Sequence, residues 1–482
     1  MAKTEEKQET MMQSNETDAL GTAPVRSLLF RLALPAITAQ IVNLLYNLVD
    51  RMYIGHIAGI GKLALTGVGI CLPLIMIISA FAALVSMGAA PRASIFLGKG
   101  EKENAEGTLG NSFTLLLIVS AVLTVVFLLF SRRLLLAFGG SENTIAYALS
   151  YMTIYSLGTI FVQMTIGLNA FISAQGFAKV SMMTVCIGAV CNIVLDPIFI
   201  FGLRLGVRGA ALATILSQAV SAVWILKFLT GKKTTLRLRV SKMRLKKELV
   251  LPAIALGLSP FIMQSTESLI AVCFNSSLLK YGGDIAVGSM TILTSVMQFA
   301  LMPLQGLTQG AQPIISYNFG ARNASRVKSA FRILVVTCLS YSMILWLLVM
   351  LMPRMFIMIF NNDPELVDFA ARAIRIYMAA TGIFGIQVAC QQTFIAIGNA
   401  KSSLFLALLR KIILLVPLIY ILPAVLPLDQ TTSVFLAEPV ADFLAVVTTA
   451  SLFGVQFKKA MRMMEKPAED CSQKSHPERG MA

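Results

Sequence analysis

Residues 31–50 read RLALPAITAQIVNLLYNLVD, and residues 248–267 read ELVLPAIALGLSPFIMQSTE. Aligned, Leu34-Pro35-Ala36 falls on Leu251-Pro252-Ala253 and Asp50 falls on Glu267, an offset of 217 positions. Further along the offset becomes 222, pairing Pro91 with Pro313, Gly98 with Gly320, Phe138 with Phe360, Tyr155 with Tyr377, Gly176 with Gly398, Lys179 with Lys401 and Ser181 with Ser403. Single coincidences mean little, but this many in one register mark an internal duplication. Each copy opens with an apolar run of the length, about 20 residues, that crosses a bilayer as a helix.

Composition agrees. Of 482 residues 56% are hydrophobic and only 13% charged, with a mean hydropathy of +0.77. A soluble chain carries about 25% charged residues to wet its surface. Twelve helices at about 20 residues each would use about half the chain. A soluble enzyme, a disulfide-stapled secreted module, a disordered chain and a collagenous one are all excluded on these grounds. The seven cysteines are scattered without a CxxC pair and read as small buried hydrophobes. His56 and His476 are too far apart to form a zinc signature. Residues 1–23 are polar and partly acidic, unlike a cleavable signal peptide, so the first span is expected to direct insertion.

Hydropathy predicts twelve helices, at 26–50, 63–90, 108–130, 146–172, 180–201, 208–230, 249–279, 285–312, 330–352, 367–395, 402–425 and 432–457. The chain is therefore expected to be an all-α polytopic membrane protein. The breaks alternate in charge. The basic set includes Arg92, Lys99 and Lys102, then Lys179, the stretch 231–248, Arg322, Arg326 and Lys328, then Lys401, and finally Lys458, Lys459 and Arg462. The stretch from Gly231 to Lys247 holds eight basic residues and no acid. These locations turn the net charge of +16 into a topology signal rather than a nucleic-acid footprint. The same loop is suited to anionic lipid. Cytoplasmic basic breaks put both termini in the cytoplasm and require an even number of spans; Arg132, Arg133 and Arg204 fall on the minority side.

The resulting division is a tail at 1–25, an N-lobe at 26–230, a basic linker at 231–248, a C-lobe at 249–457 and a second tail at 458–482. Six spans separate equivalent residues, so the lobes enter the membrane in the same orientation, related by a pseudo-two-fold axis along the membrane normal, with a cleft between them. Such lobes suit alternating access, although duplication also serves simply to build a stable bundle.

Ionisable residues inside spans are costly and need a reason. Asp50 ends the first span; Asn192 and Asp196, four apart, share a face of the fifth, and Thr214, Ser217 and Gln218 lie on the sixth. Two carboxylates with neutral oxygens suit a monovalent cation or a proton relay. The plainer readings are an interfacial Asp50 paired with Arg51 and a helix-end Asp196 before Pro197. Positions 222 after Asn192, Asp196 and Thr214 are Leu414, Leu418 and Leu436, so the polar cluster is confined to the first copy. Glu267, with Gln264 one turn away, either faces the cleft, to hold a cationic substrate or exchange a proton, or is tied to neighbouring hydroxyls. Glu438 and Asp442 on the twelfth span read as exposed near the outer interface, with Arg410 and Lys411 either balancing acids or snorkelling. Twenty-five methionines give apolar walls that pack, face lipid or adapt to dissimilar ligands.

With the duplication, the segments NLLYNLVDRMYIGH, NAFISAQGFAKVSM, CNIVLDPIFIFG and GVRGAALATILSQ resemble the multidrug and toxic compound extrusion (MATE) family over residues 25–457, most closely its bacterial MepA-like branch. The resemblance implies a secondary antiporter in the bacterial plasma membrane that expels cationic or amphipathic drug-like compounds in exchange for Na+ or H+, without another cofactor. It implies a cation site of Asp50, Asn192, Asp196 and Thr214, which would also hold Na+ as its metal, and substrate contacts at Asn43, Asn47, Asn169, Gln264 and Glu267. Pro35 matches a proposed first-helix hinge. The tenth-helix acid of another branch is absent, whereas Glu267 matches that branch's seventh-helix acid. The expected partners are small molecules and membrane lipids, not nucleic acid, and the chain is expected to act as a monomer. A flippase for lipid-linked precursors is the rival within the wider superfamily, but it would show several cleft arginines or extra spans. A membrane-embedded enzyme would need a nucleophile or metal constellation that the spans lack.

Overall fold

The computed structural model describes residues 16–465; residues 1–15 and 466–482, which include Cys471, His476 and much of both expected tails, lie outside the described residues. Among the described residues the chain is almost wholly helical and contains no strand. Lipid offers no hydrogen bonds, so each spanning segment must satisfy its own backbone, and the helix does this within one segment.

Nine helices are long and apolar enough to cross a bilayer, and two bent pairs qualify jointly. One of the nine, Lys247–Gly320, has 74 residues and breaks helical geometry at Gly283 (φ 62°, ψ −160°), so it contains two spans. Both halves contribute to one buried cluster, with Phe274 and Leu278 alongside Met290 and Leu293. The described residues therefore form twelve spans, six from each copy of the repeat.

Several helices outrun their apolar cores. The second span, expected at 63–90, is a helix over Gly61–Gly98, and the third, expected at 108–130, covers Lys102–Ala137. At the basic end the extensions are buried in protein at Ala93, Ser94, Ala105 and Glu106, so low hydropathy there does not end the helix.

The duplication reappears as matched backbone irregularities. The fourth span bends by 57° between Ile145–Leu157 and Thr159–Ala174, and the tenth bends by 49° between Pro364–Tyr377 and Thr381–Ala396. Gly158 and Ala380, at these breaks, are 222 positions apart. Gly176 and Gly398 both take positive φ, at 95° and 78°, as do Gly100 and Arg322, at 77° and 55°. Arg322 holds the left-handed turn that glycine adopts freely in the other copy, a conformation that costs a residue bearing a Cβ. The fifth and eleventh spans each contain a π-helical stretch, Ile198–Gly202 and Leu409–Leu415.

Lobes meet closely at the end carrying the basic breaks. A methyl group added to Gly88 of the second span would overlap the backbone of Ala253 and Gly257 on the seventh, and one added to Gly257 would overlap Leu84. Gly98 and Gly320 abut Tyr317 and Ile95 in the same manner, while Gly306 and Gly310 of the eighth span abut Ile37 and Ala33 of the first. Small residues permit this backbone approach and the van der Waals contact that drives helix association in lipid. Phe81 and Phe261 meet edge to face at 5.0 Å above this seal. Beyond them Asn43 and Asn47 on the first span and Glu267 on the seventh are exposed, which marks a cleft open toward the end opposite the basic breaks.

The basic end is also strapped. The Thr17 hydroxyl donates to the Gln175 carbonyl at 3.0 Å, while Asn318 and Arg326 donate to the Leu20 carbonyl at 2.8 and 3.1 Å. Residues 16–22, expected as part of a tail, are helical and bridge both lobes. The linker is pinned to the N-lobe: Gln175 Oε1 accepts from Thr234 and Leu236, and Asn111 Oδ1 from the Lys246 amide at 2.6 Å. Gly257→Leu is expected to wedge the seal apart. Spin labels at positions 179 and 401, on the basic end of each lobe, should report a longer and broader distance distribution than in the parent.

Candidate functional site

In the N-lobe, the first and fifth spans bring Asp50 and Asp196 within hydrogen-bonding reach of each other. Asp196 is fully buried and Asn192 nearly so, and Asn192 Nδ2 donates to Asp196 Oδ1 at 3.3 Å. The second oxygen of Asp196, one oxygen of Asp50 and Asn192 Oδ1 are buried without a partner. Among the described residues, no basic side chain forms an ion pair with either carboxylate. The plainer readings hold in part: Arg51 acts on Asp50 through its charge without an ion-pair contact, and Asp196 lies at the end of the α-helix Ala178–Pro197 but is buried in protein. Three unpartnered acceptors around two facing carboxyls form a donor set for one monovalent cation or for a shared proton. Among the described residues no group of three or more His, Cys, Asp or Glu side chains gathers as a multivalent-metal site.

Thr214 joins through an aromatic wall. Its hydroxyl donates to the Ala210 carbonyl at 3.0 Å and meets the Tyr151 hydroxyl, and Tyr151 lies near Asp50. Tyr151 stacks on Tyr155 with centroids 6.0 Å apart, and Tyr46, one turn before Asp50, completes the wall. The three tyrosines escape sequence reasoning because aromatic residues in a span read as packing. The one available signal was that Tyr155 is retained as Tyr377 in the second copy.

Other expected contacts are dispersed. Asn43 and Asn47 lie on the first span toward the basic end from Asp50, with Asn47 Nδ2 donating to the Asn43 carbonyl at 2.6 Å. Gln264 is partly buried one turn from Glu267. Asn169 donates to the Ser181 carbonyl at 3.3 Å at the start of the fifth span, about 22 Å along that helix from Asp196, and does not join this cluster. Pro35 sits in an unbroken helix, Val25–Gly55, beside the seal.

The C-lobe handles its acids differently. Arg410 Nε donates to Asp442 at 2.6 Å and its Nη2 to Glu438 at 3.0 Å, with the guanidinium 4.5 Å from the Phe384 ring centre. Lys411 Nζ donates to Glu267 Oε1 at 2.7 Å. Glu438 and Asp442 are 4% and 2% exposed, which overturns the expectation that they lie near the outer interface. They lie two to three turns inside the helix Gln430–Glu465, on a face turned toward Arg410. Lys411 and Arg410 balance acids and do not snorkel. Gln391 of the tenth span donates to Ser259 and Ser403 and ties three helices together.

Fold and site together define a polytopic membrane protein of two parallel six-helix lobes about a one-sided cleft, with an unmatched carboxylate pair in one lobe. The chain belongs to the MatE family, whose model matches residues 35–198 and 260–421, one segment in each copy of the repeat. It is 26% identical over 423 residues to the multidrug export protein MepA of Staphylococcus haemolyticus, covering 87% of this chain and 92% of that protein. Among solved structures it resembles the MATE multidrug transporter DinF-BH, solved in complex with a ligand, with a TM-score of 0.82 and 34% identity, covering 89% of this chain and 95% of that one. It shares its fold with the outward-facing conformation of a multidrug resistance MATE family transporter of the MOP superfamily, with a TM-score of 0.84 and 22% identity, covering 93% and 99%.

Two outcomes follow from the contrast between lobes. Asp196→Asn places a donor opposite Asp50 and should stabilise the protein by about 1–3 kcal/mol, seen as a higher melting temperature in detergent that no longer responds to added Na+ or to acidification. Arg410→Ala strands two buried carboxylates and should cost about 3–5 kcal/mol, whereas Arg354→Ala, which breaks a pair exposed by 68% and 59%, should cost under about 1 kcal/mol in the same assay.

Proposed function

We propose that this protein is a cation-coupled antiporter that exports structurally diverse cationic or amphipathic compounds by alternating access. The carrying observation is the facing pair Asp50 and Asp196, with a buried unpartnered oxygen on each and no ion-pair contact to a basic side chain among the described residues. A proton shared between the carboxyls, or a Na+ held by them with Asn192 and Thr214, supplies the missing positive charge. The named export activity of the MepA relative, and the naming of the DinF-BH relative as a multidrug transporter, support drug-like substrates.

With the basic breaks in the cytoplasm of a bacterial cell, both termini are cytoplasmic and the open end of the cleft faces outward. Asn43, Asn47, Gln264 and Glu267 present polar groups along this cleft among apolar walls, which suits amphipathic cations. In the outward-open state the coupling ion neutralises Asp50 and Asp196, changes the hydrogen bonding around the first helix and weakens the hold on substrate. Release then favours closure of the outer end and parting of the glycine seal. This coupling requires ion and substrate to prefer different states. Each chain has both lobes and works as a monomer.

The decisive experiment is uphill export of a dye from reconstituted vesicles with H+ and Na+ gradients imposed separately. One gradient should drive export, and Asp50→Asn and Asp196→Asn should each lower the driven rate at least tenfold while leaving the protein folded. Export by Asp196→Asn at the parental rate would remove Asp196 from the mechanism.

A further inference from the structure

Glu267 stands where Asp50 stands in the first copy, and Tyr377 where Tyr155 stands. Tyr377 lies near Glu267, Glu438 and Asp442, whereas its counterpart Tyr155 meets Tyr46 and Tyr151, the two tyrosines that lie near Asp50. What differs is the source of positive charge. Positions 222 before Arg410 and Lys411 are Gly188 and Ala189, which reach no acid. In the C-lobe the Lys411 ammonium, its side chain 7% exposed, contacts Glu267 from inside the lobe, while the Glu267 side chain is 51% exposed. The guanidinium of Arg410 makes its hydrogen bonds to Glu438 and Asp442, so Lys411 is the direct ionic partner of Glu267.

We propose that Lys411 is a built-in counter-cation: its ammonium takes, in the second lobe, the place that an exchanging coupling ion takes beside Asp50 in the first. The protein then couples at one site although its scaffold holds two. The charges close on this account. Glu267, Glu438 and Asp442 against Arg410 and Lys411, counted over ion-pair contacts, leave one net negative charge; without Lys411 they leave two, the count for Asp50 and Asp196, which Arg51 approaches without an ion-pair contact. Exposure of Glu267 lets a cation that replaces the ammonium exchange with the cleft, and a charge on a tether cannot leave. Lys411 thus sets the number of ions used per cycle without touching the N-lobe site.

This inference rests on the antiporter reading, and the test separates the two. In reconstituted vesicles with the potential clamped at zero, the substrate ratio sustained by a tenfold gradient of the coupling ion reports the coupling number. The parent and Lys411→Arg are expected to hold about a tenfold ratio and Lys411→Met about a hundredfold one. A ratio in Lys411→Met that stays about tenfold overturns the proposal, whereas a parent driven by neither H+ nor Na+ overturns the antiporter reading instead. If Lys411→Met does not accumulate, Lys411→Ala with n-propylammonium takes its place. The amine should restore both the parental melting temperature and the tenfold ratio, and its failure to restore either counts against the proposal.

Discussion

A carboxylate enclosed by apolar helices must either be matched by a fixed positive charge or be neutralised by something that arrives, because nearby water is too scarce to solvate it. The two lobes of this protein answer the same problem in opposite ways. In the C-lobe Arg410 and Lys411 are held in a π-helical stretch and reach three acids across helix boundaries. In the N-lobe Asp50 and Asp196 face each other with no such partner, and the surrounding tyrosines and amides supply orientation rather than charge. Breaking the fixed set strands buried ions, so the C-lobe behaves as structure. The unfixed set is the part that an ion can change.

Geometry outside the sites serves this division. Glycine contacts at Gly88, Gly257, Gly98 and Gly320 bring backbones together at one end, where the Ser94 hydroxyl also donates across the lobes to the Pro313 carbonyl at 3.4 Å. Dispersion contact between small residues falls off steeply with distance, so such a seal is tight when closed and weak once opened. The strap at residues 16–22 and the pinned linker add directional bonds at the same end, which keeps the lobes in register. A cleft closed by these means stays open at the opposite end, where Glu267 and the first-span amides are exposed.

Much of this was legible in the sequence, for identifiable reasons. Apolar length and the 217/222 offsets expose span number and duplication because both are one-dimensional properties. The spacing of Asn192 and Asp196 reveals a shared helix face because 3.6-residue periodicity is local. Which helix that face meets is not local, so the approach of Asp50 to Asp196 rested on family resemblance, and the tyrosine wall went unseen. Glu438 and Asp442 misled for the same reason: proximity to a helix start suggests water, and only the crossing of the eleventh span shows that Arg410 waits there. The bends at Gly158 and Ala380 were hidden because glycine and alanine carry little turn signal inside an apolar run.

Duplication gives both lobes equal opportunity to bind an ion, and the difference between them comes from the side chains added later to a common frame. A hinge or cleft shared by both copies cannot by itself tell ion from substrate, since the frame is nearly symmetric. Asymmetry of charge can. When one lobe carries its own cations and the other lacks them, arrival of an external cation changes only one side of the cleft, and the first helix, which bears Asp50 and also packs against Gly306 and Gly310 of the opposite lobe, is the element that feels both. Asp50 and the glycine seal are therefore joined by about 20 Å of continuous helix. The helix that carries Asp50 is the same helix that packs into the glycine seal.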